Sequence, residues 1–182
     1  MFLLDQEVLE RGLIASRESR RRRIMLPVQR SPVEGVQRLL NFLQRGSYAR
    51  PHVHPAPESV EHVVVVKGAI GFLVFDEAGG VVVASRLEAG NPAGCLIDIE
   101  QGVWHTLVAL ADDTVVVEIK RGPYNAATDK IFAAWAPEEG VPEAAAFLRG
   151  LEAHFAPCSE SSGSCCPASH HLPSGGGDIC RV

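Results

Sequence analysis

The chain has 182 residues, 46% of them hydrophobic, and a net charge of −5. That length suits one domain with a substantial core, and the acidic balance argues against a molecule built to grip nucleic acid. No apolar run approaches the ~20 residues of a membrane span, and "MFLLDQEVLERG" lacks the basic segment of a signal peptide and breaks at Asp5, so the expected location is the cytoplasm.

Residues 1–35 form an N-terminal helical and arginine-rich segment. Leu4, Val8, Leu9 and Leu13 recur at helical spacing from Phe2 to about Arg23, and the stretch ends in "RESRRRR". Arg20 to Arg23 suit a solvated helix end, where cations complement the dipole. The lesser reading is phosphate binding in a nucleotide-sugar pocket, since clustered guanidiniums suit phosphate. Residues 36–124 change to short β-type runs: "LLNFL", "HVVVVKGAIGFLVFD", "GGVVVASRL", "GCLIDI", "HTLVAL" and "TVVVEIK". "DEAGG" at 76–80 reads as a hairpin turn, because Gly79 and Gly80 can take the positive φ of a tight turn. Many short strands at regular spacing predict a sandwich or barrel.

Residues 125–156 turn helical again. In "PEAAAFLRGLEAHF", Pro142 suits a first helical turn, and Phe147, Leu151 and Phe155 line one face. Residues 157–182 are rich in Ser, Gly, Pro and Cys, too poor in apolar residues to offset the entropy of ordering, and are expected to be disordered. This tail holds Cys158, Cys165, Cys166 and Cys180 with His170 and His171, but no pair at the C-x2-4-C spacing of a zinc site, so it reads as a variable extension. Cys95 sits in an apolar run and reads as core packing.

The chemistry gathers in "GSYARPHVHPAPESVEHVVVVKG". In a strand, residues two apart share a face, so His52 and His54 point together, with Tyr48 and Arg50, while Pro51 and Val53 face away. Glu61 opens the next strand after the "PAPES" loop, and His105 follows a tight turn at Gly102. Three imidazoles and one carboxylate converging inside a barrel would hold a divalent transition metal. Arg50 could bind a carboxylate or phosphate as a fork, or serve as a rim salt bridge. Glu118 and Lys120 share a face of "VVVEIK", where an interior pair is costly unless it serves a ligand or itself. Lys67 should reach solvent, His62 should point away from the metal, and Trp104 and Trp135 should pack.

These residues resemble the cupin motifs. The first, G(X)5HXH(X)3-4E(X)6G, fits Gly46, His52, His54, Glu61 and Gly68 with a longer His-to-Glu loop; Gly94, Gly102 and His105 fit the second, G(X)5PXG(X)2H(X)3N. Glu100 replaces its Pro and Ala109 its Asn, neither of them a metal ligand in the family pattern. Glu58 also fits an H-x-H-x3-E spacing, though only Glu61 keeps six residues before Gly68. "QRLLNFLQRGSYARPHVHP", "WHTLVAL", "EIKRGPYNAATDKIFAAWAPEEG" and "SRESRRRR" are similar to the WbuC family of cupin-fold metalloproteins, from the N-terminal helix to about Phe155. Some members are encoded among genes for O-antigen and other surface polysaccharides, which implies a link to sugar metabolism.

The expected fold is therefore all-β, a cupin double-stranded β-helix (jelly-roll type) barrel with flanking N- and C-terminal helices. The expected ligands are His52, His54, Glu61 and His105, holding Fe, Mn, Zn or Ni, with Tyr48, Arg50, Glu118 and Lys120 as pocket residues. Expected partners are a small polar or anionic molecule and a second copy of the chain as a homodimer, with neither nucleic acid nor membrane among them. Three functions fit: a metal-dependent isomerase or epimerase acting on a sugar or nucleotide sugar, a non-haem iron oxygenase, and a non-catalytic sugar-binding or regulatory cupin.

Overall fold

The computed structural model of the chain describes residues 1–57 and 59–156. The alternative carboxylate Glu58 and the whole 157–182 tail, with its cysteines and histidines, lie outside the described residues.

Helix α1 spans Gln6–Glu18. Asp5 caps it by accepting from the Val8 amide at 2.9 Å, and Glu7 complements the positive end of the helix. Ten strands follow before the second helix. They are β1 (Arg23–Pro27), β2 (Val36–Leu43), β3 (His52–Val53), β4 (Glu61–Lys67), β5 (Ala69–Phe75), β6 (Val81–Glu88), β7 (Leu96–Ile99), β8 (Trp104–Ala109), β9 (Thr114–Arg121) and β10 (Ile131–Phe132). Helix α2, Pro142–Ala153, has Pro142 at its start. Asp76 holds the β5–β6 turn, its carboxylate accepting from the amides of Ala78 and Gly80.

The strands form two five-stranded antiparallel sheets, ordered β1-β2-β9-β4-β7 and β10-β3-β8-β5-β6. The chain switches sheet between β4 and β5, again from β6 to β7, and at each step on to β9, so the sheets are laid down together as two facing layers. Strand alternation then sorts the side chains. Leu43, Val63, Val65 and Val116 of one sheet meet Ile70, Phe72 and Leu87 of the other in the central core. The opposite parity of β2, Leu40 and Phe42, faces α1 and packs with Leu13. On the other side, Leu73, Phe75 and Val108 pack on Ala144, Leu148 and Leu151 of α2. Each fully buried Val, Leu, Ile or Phe among these is worth roughly 1.5–3 kcal/mol of transfer free energy. Among the described residues, no helix is long and apolar enough to cross a membrane.

Several local expectations change. β1 lies where the arginine run hides it, pairing with β2 so that Arg23 stands opposite Leu43. Only His52 and Val53 of the histidine segment form a strand; residues 44–51 take a turn and an irregular path. The two-residue parity from Tyr48 to His54 is therefore broken. Cys95 is half-buried in the turn before β7 rather than in a strand, its carbonyl accepting from the Val65 amide.

Candidate metal centre

The four residues come from three strands and one loop. β3 pairs with β8 so that His52 stands opposite His105. Glu61 begins β4 in the facing sheet, and His54 follows β3. Their ligating atoms lie within 4.8 Å of one another. His54, Glu61 and His105 are buried, and His52 is nearly so. The His54 Nε2 is 2.9 Å from Glu61 Oε2, and His105 Nε2 is 3.5 Å from the same oxygen.

The second nitrogen of each ring decides what the site can do. His52 Nδ1 faces the carbonyl of Arg50 at 3.1 Å, His54 Nδ1 the carbonyl of Asp129, and His105 Nδ1 the carbonyl of Val103 at 2.9 Å. A carbonyl only accepts, so each Nδ1 must carry its proton and each Nε2 turns a lone pair inward. Backbone carbonyls orient histidine ligands in this way at metal sites. Three lone pairs and a carboxylate facing one another are mutually repulsive unless a cation lies between them. That donor set fits a divalent transition metal.

Charge around the cluster follows from burial. Burial, reinforced by the neighbouring His105, holds the His52 imidazole well below its ordinary value, which keeps it neutral. Burial pushes the Glu61 carboxyl up, but its contacts with His105 and His54, with the charge of Lys120, outweigh it and hold the group well below the usual range. Glu118 goes the other way. Burial, then the charge of Glu61, pushes its carboxyl up to about 8, so Glu118 is the member of this pair that holds a proton.

A cavity of about 230 Å³ opens onto His52, Glu61 and His105, with Arg50 and Glu118 also in its wall. The other two expected pocket residues lie elsewhere. Tyr48 packs beside Leu73, Phe75 and α2, edge-on to Phe147, and its hydroxyl donates to the Pro137 carbonyl at 2.8 Å. It is placed there because residues 44–51 are not a strand. Lys120 pairs with Asp129 at 3.3 Å, both buried, and lines a separate cavity of about 520 Å³ on the far side of His54. Arg50 is largely committed: it donates twice to the Ala133 carbonyl, approaches Glu138 at 3.6 Å and lies over the Phe132 ring. His62 turns outward to Asp98, and Trp104 and Trp135 pack against α2.

Sequence reasoning passed over Asn41 and Asp129, and reached Arg21 and Arg23 only as members of the arginine run. Asn41 was legible: it is a polar residue at an inward-facing position of the apolar run "LLNFL". Asp129 acts on His54 through its carbonyl, which carries no side-chain signature.

A family model described as a domain of unknown function (DUF6016) matches residues 4–87, a span that includes His52, His54 and Glu61 but ends before His105. No curated protein matches the sequence. Among solved structures, an uncharacterized conserved protein with a double-stranded beta-helix domain from Klebsiella pneumoniae is similar at TM-score 0.51 and 16% identity, covering 73% of this chain and 96% of that one. KdgF from Halomonas sp. is similar at TM-score 0.45 and 21% identity, covering 58% of this chain and 82% of its own. The capsular polysaccharide assembling protein CapF from Staphylococcus aureus gives 0.49 and 18%, covering 59% of this chain and 31% of its own. With the sheet topology, the Klebsiella likeness defines the fold: this chain is built on the double-stranded β-helix of the cupins, and its His/Glu cluster could hold a metal.

Proposed function

We propose that the chain is a metal-binding cupin of the WbuC type, acting on a sugar or nucleotide sugar in surface polysaccharide (O-antigen) synthesis. The observation that carries this reading is the inward set of three Nε2 lone pairs and one carboxylate within 4.8 Å, each ring fixed by a backbone carbonyl. His52, His54, Glu61 and His105 would hold Fe, Mn, Zn or Ni. When bound, such a metal supplies Lewis acidity that polarises a carbonyl or stabilises an enediolate, the chemistry of isomerisation and epimerisation. Three imidazoles with a carboxylate differ from the two-His, one-carboxylate set of many non-haem iron oxygenases, which favours the isomerase reading.

The chain's own residues supply the rest. Leu43, Val63, Phe72 and Leu107 line the cavity and keep its dielectric low, which strengthens polar contacts made inside. Glu118 holds a proton beside Glu61 at the cavity wall, where a ligand hydroxyl could take a hydrogen bond from it. Metal analysis of purified protein, followed by a turnover screen on sugars, sugar phosphates and nucleotide sugars with and without chelator, tests the reading. Chelator-sensitive turnover would support it. Stoichiometric metal with ligand binding but no turnover would move the protein to the sugar-binding class.

A further inference from the structure

Sheet register places four polar side chains on one diagonal across the inner face of the first sheet. Glu61 stands opposite Lys120, two residues from Glu118 on β9; Glu118 stands opposite Leu39, two residues from Asn41; Asn41 stands opposite Met25, two residues from Arg23. Residues so related share a face, at roughly 7–8 Å per diagonal step. All four line the cavity. The line runs from the candidate metal ligand to a guanidinium.

Two features of this line call for a ligand. Asn41 is buried, and its Nδ2 has no hydrogen-bond partner among the described residues. An unpaired buried donor is costly, and a ligand acceptor would satisfy it. At the other end, Arg21 and Arg23 converge on one carboxylate. Arg21 grips Glu139 with Nε and Nη2 at 2.9 and 3.1 Å, and Arg23 takes the same carboxylate while donating to the Tyr48 carbonyl at 2.8 Å. Glu139 sits on the segment just before α2, and its side chain is 30% exposed, whereas Arg23's is 13%. Glu139 is thus more peripheral than Arg23 but less exposed than Arg21, whose side chain is 64% exposed, and it bridges an inward-held guanidinium and a solvent-facing one.

We propose that Arg21 and Arg23 form a phosphate subsite of the cavity, occupied by Glu139 in the free protein, with Asn41 donating to the ligand between this subsite and the metal ligands. The ligand class is a phosphorylated monosaccharide, a choice that builds on the proposed sugar-directed function. Two guanidinium forks match a phosphate's several oxygens better than a single carboxylate. The cavity of about 230 Å³ lies below the roughly 300–1,000 Å³ of sites for drug-sized ligands. It suits one sugar ring, so any nucleoside attached to the phosphate would lie outside it.

Calorimetric titration with inorganic phosphate, glucose 1-phosphate, glucuronate and glucose tests the assignment on the full-length protein, both metal-loaded and chelator-treated. Glu139→Gln removes the competing charge and should tighten phosphate and glucose 1-phosphate about tenfold; Arg21→Gln, at an exposed side chain, should weaken both by at least that factor. Asn41→Ala should weaken glucose 1-phosphate and leave inorganic phosphate unchanged. Phosphate binding should survive chelation, so a protein that takes no metal but shows this pattern keeps the subsite and loses the metal reading. Equal phosphate affinity in the parent, Glu139→Gln and Arg21→Gln proteins, or a preference for glucuronate over glucose 1-phosphate, would overturn the subsite.

Discussion

At the residue scale, the site is governed by where its protons sit. The Nδ1 protons of His52, His54 and His105 are spent on backbone carbonyls, and Glu118 keeps a proton that Glu61 gives up. His52 and Glu118 pull stability in opposite directions with pH. His52 has a folded pKa below its unfolded value of about 6.5, so its contribution is complete above that pH and is lost as pH falls through the depressed value. Glu118 has a folded pKa raised to about 8 from an unfolded 4.5, so its contribution is complete below 4.5 and is lost as pH rises through about 8. Metal-free protein should therefore melt at lower temperature as pH climbs from about 6.5 to about 8. Glu118→Gln should remove most of that alkaline decline, and melts of chelator-treated parent and variant across this range check it. An equally steep decline in the variant would assign it to another group.

The same scale shows what the sequence reveals and what it hides. His52, His54, Glu61 and His105 stand out by spacing alone, because motif distance survives even where the strand does not. The parity that joins Tyr48 and Arg50 to the histidines needs a regular strand, which residues 44–51 do not form, and Arg50 reaches the cavity wall while Tyr48 turns to α2. Lys120 has the parity of Glu118, but a buried ammonium takes the nearest buried carboxylate, and Asp129 arrives from a loop with no periodic pattern.

At the scale of elements, the long periodic segments were legible and the short ones were not. α1, α2 and the strands of the valine-rich runs follow from their repeat. β3 and β10 have two residues each, too few for any period, and exist because they pair with each other and β3 with β8. The α1 contact is tight enough to test. A Cβ at Gly12 would lie 2.3 Å from the Phe42 ring, whose side chain is fully buried. Alanine favours a helix interior over glycine by about 1 kcal/mol. Overpacking a filled core costs typically ~1–3 kcal/mol, and here the rigid ring has nowhere to go. Gly12→Ala should therefore destabilise the protein by up to about 2 kcal/mol net of its propensity gain, measurable by urea denaturation; a stabilised variant would show that α1 shifts freely on the sheet.

For the whole molecule, the cupin fold gathers ligands separated by 53 positions, His52 and His105, onto neighbouring antiparallel strands and sets Glu61 opposite them on the facing sheet. Among the described residues, the four candidate ligands and the three core clusters lie within residues 4–155. Removing residues 157–182, whose composition offers little apolar surface, should leave both the thermal midpoint and the metal content unchanged. A loss of either would give the tail's cysteines or histidines a role. The most direct measurement is the metal content of the parent protein beside a His52→Ala/His105→Ala double variant, by elemental analysis after dialysis at neutral pH. The parent should carry about one divalent transition metal per chain and the folded double variant essentially none, since two of four ligands are gone. Stoichiometric metal retained in the double variant, or none in a parent loaded with Fe, Mn, Zn or Ni, would contradict a metal centre at His52, His54, Glu61 and His105.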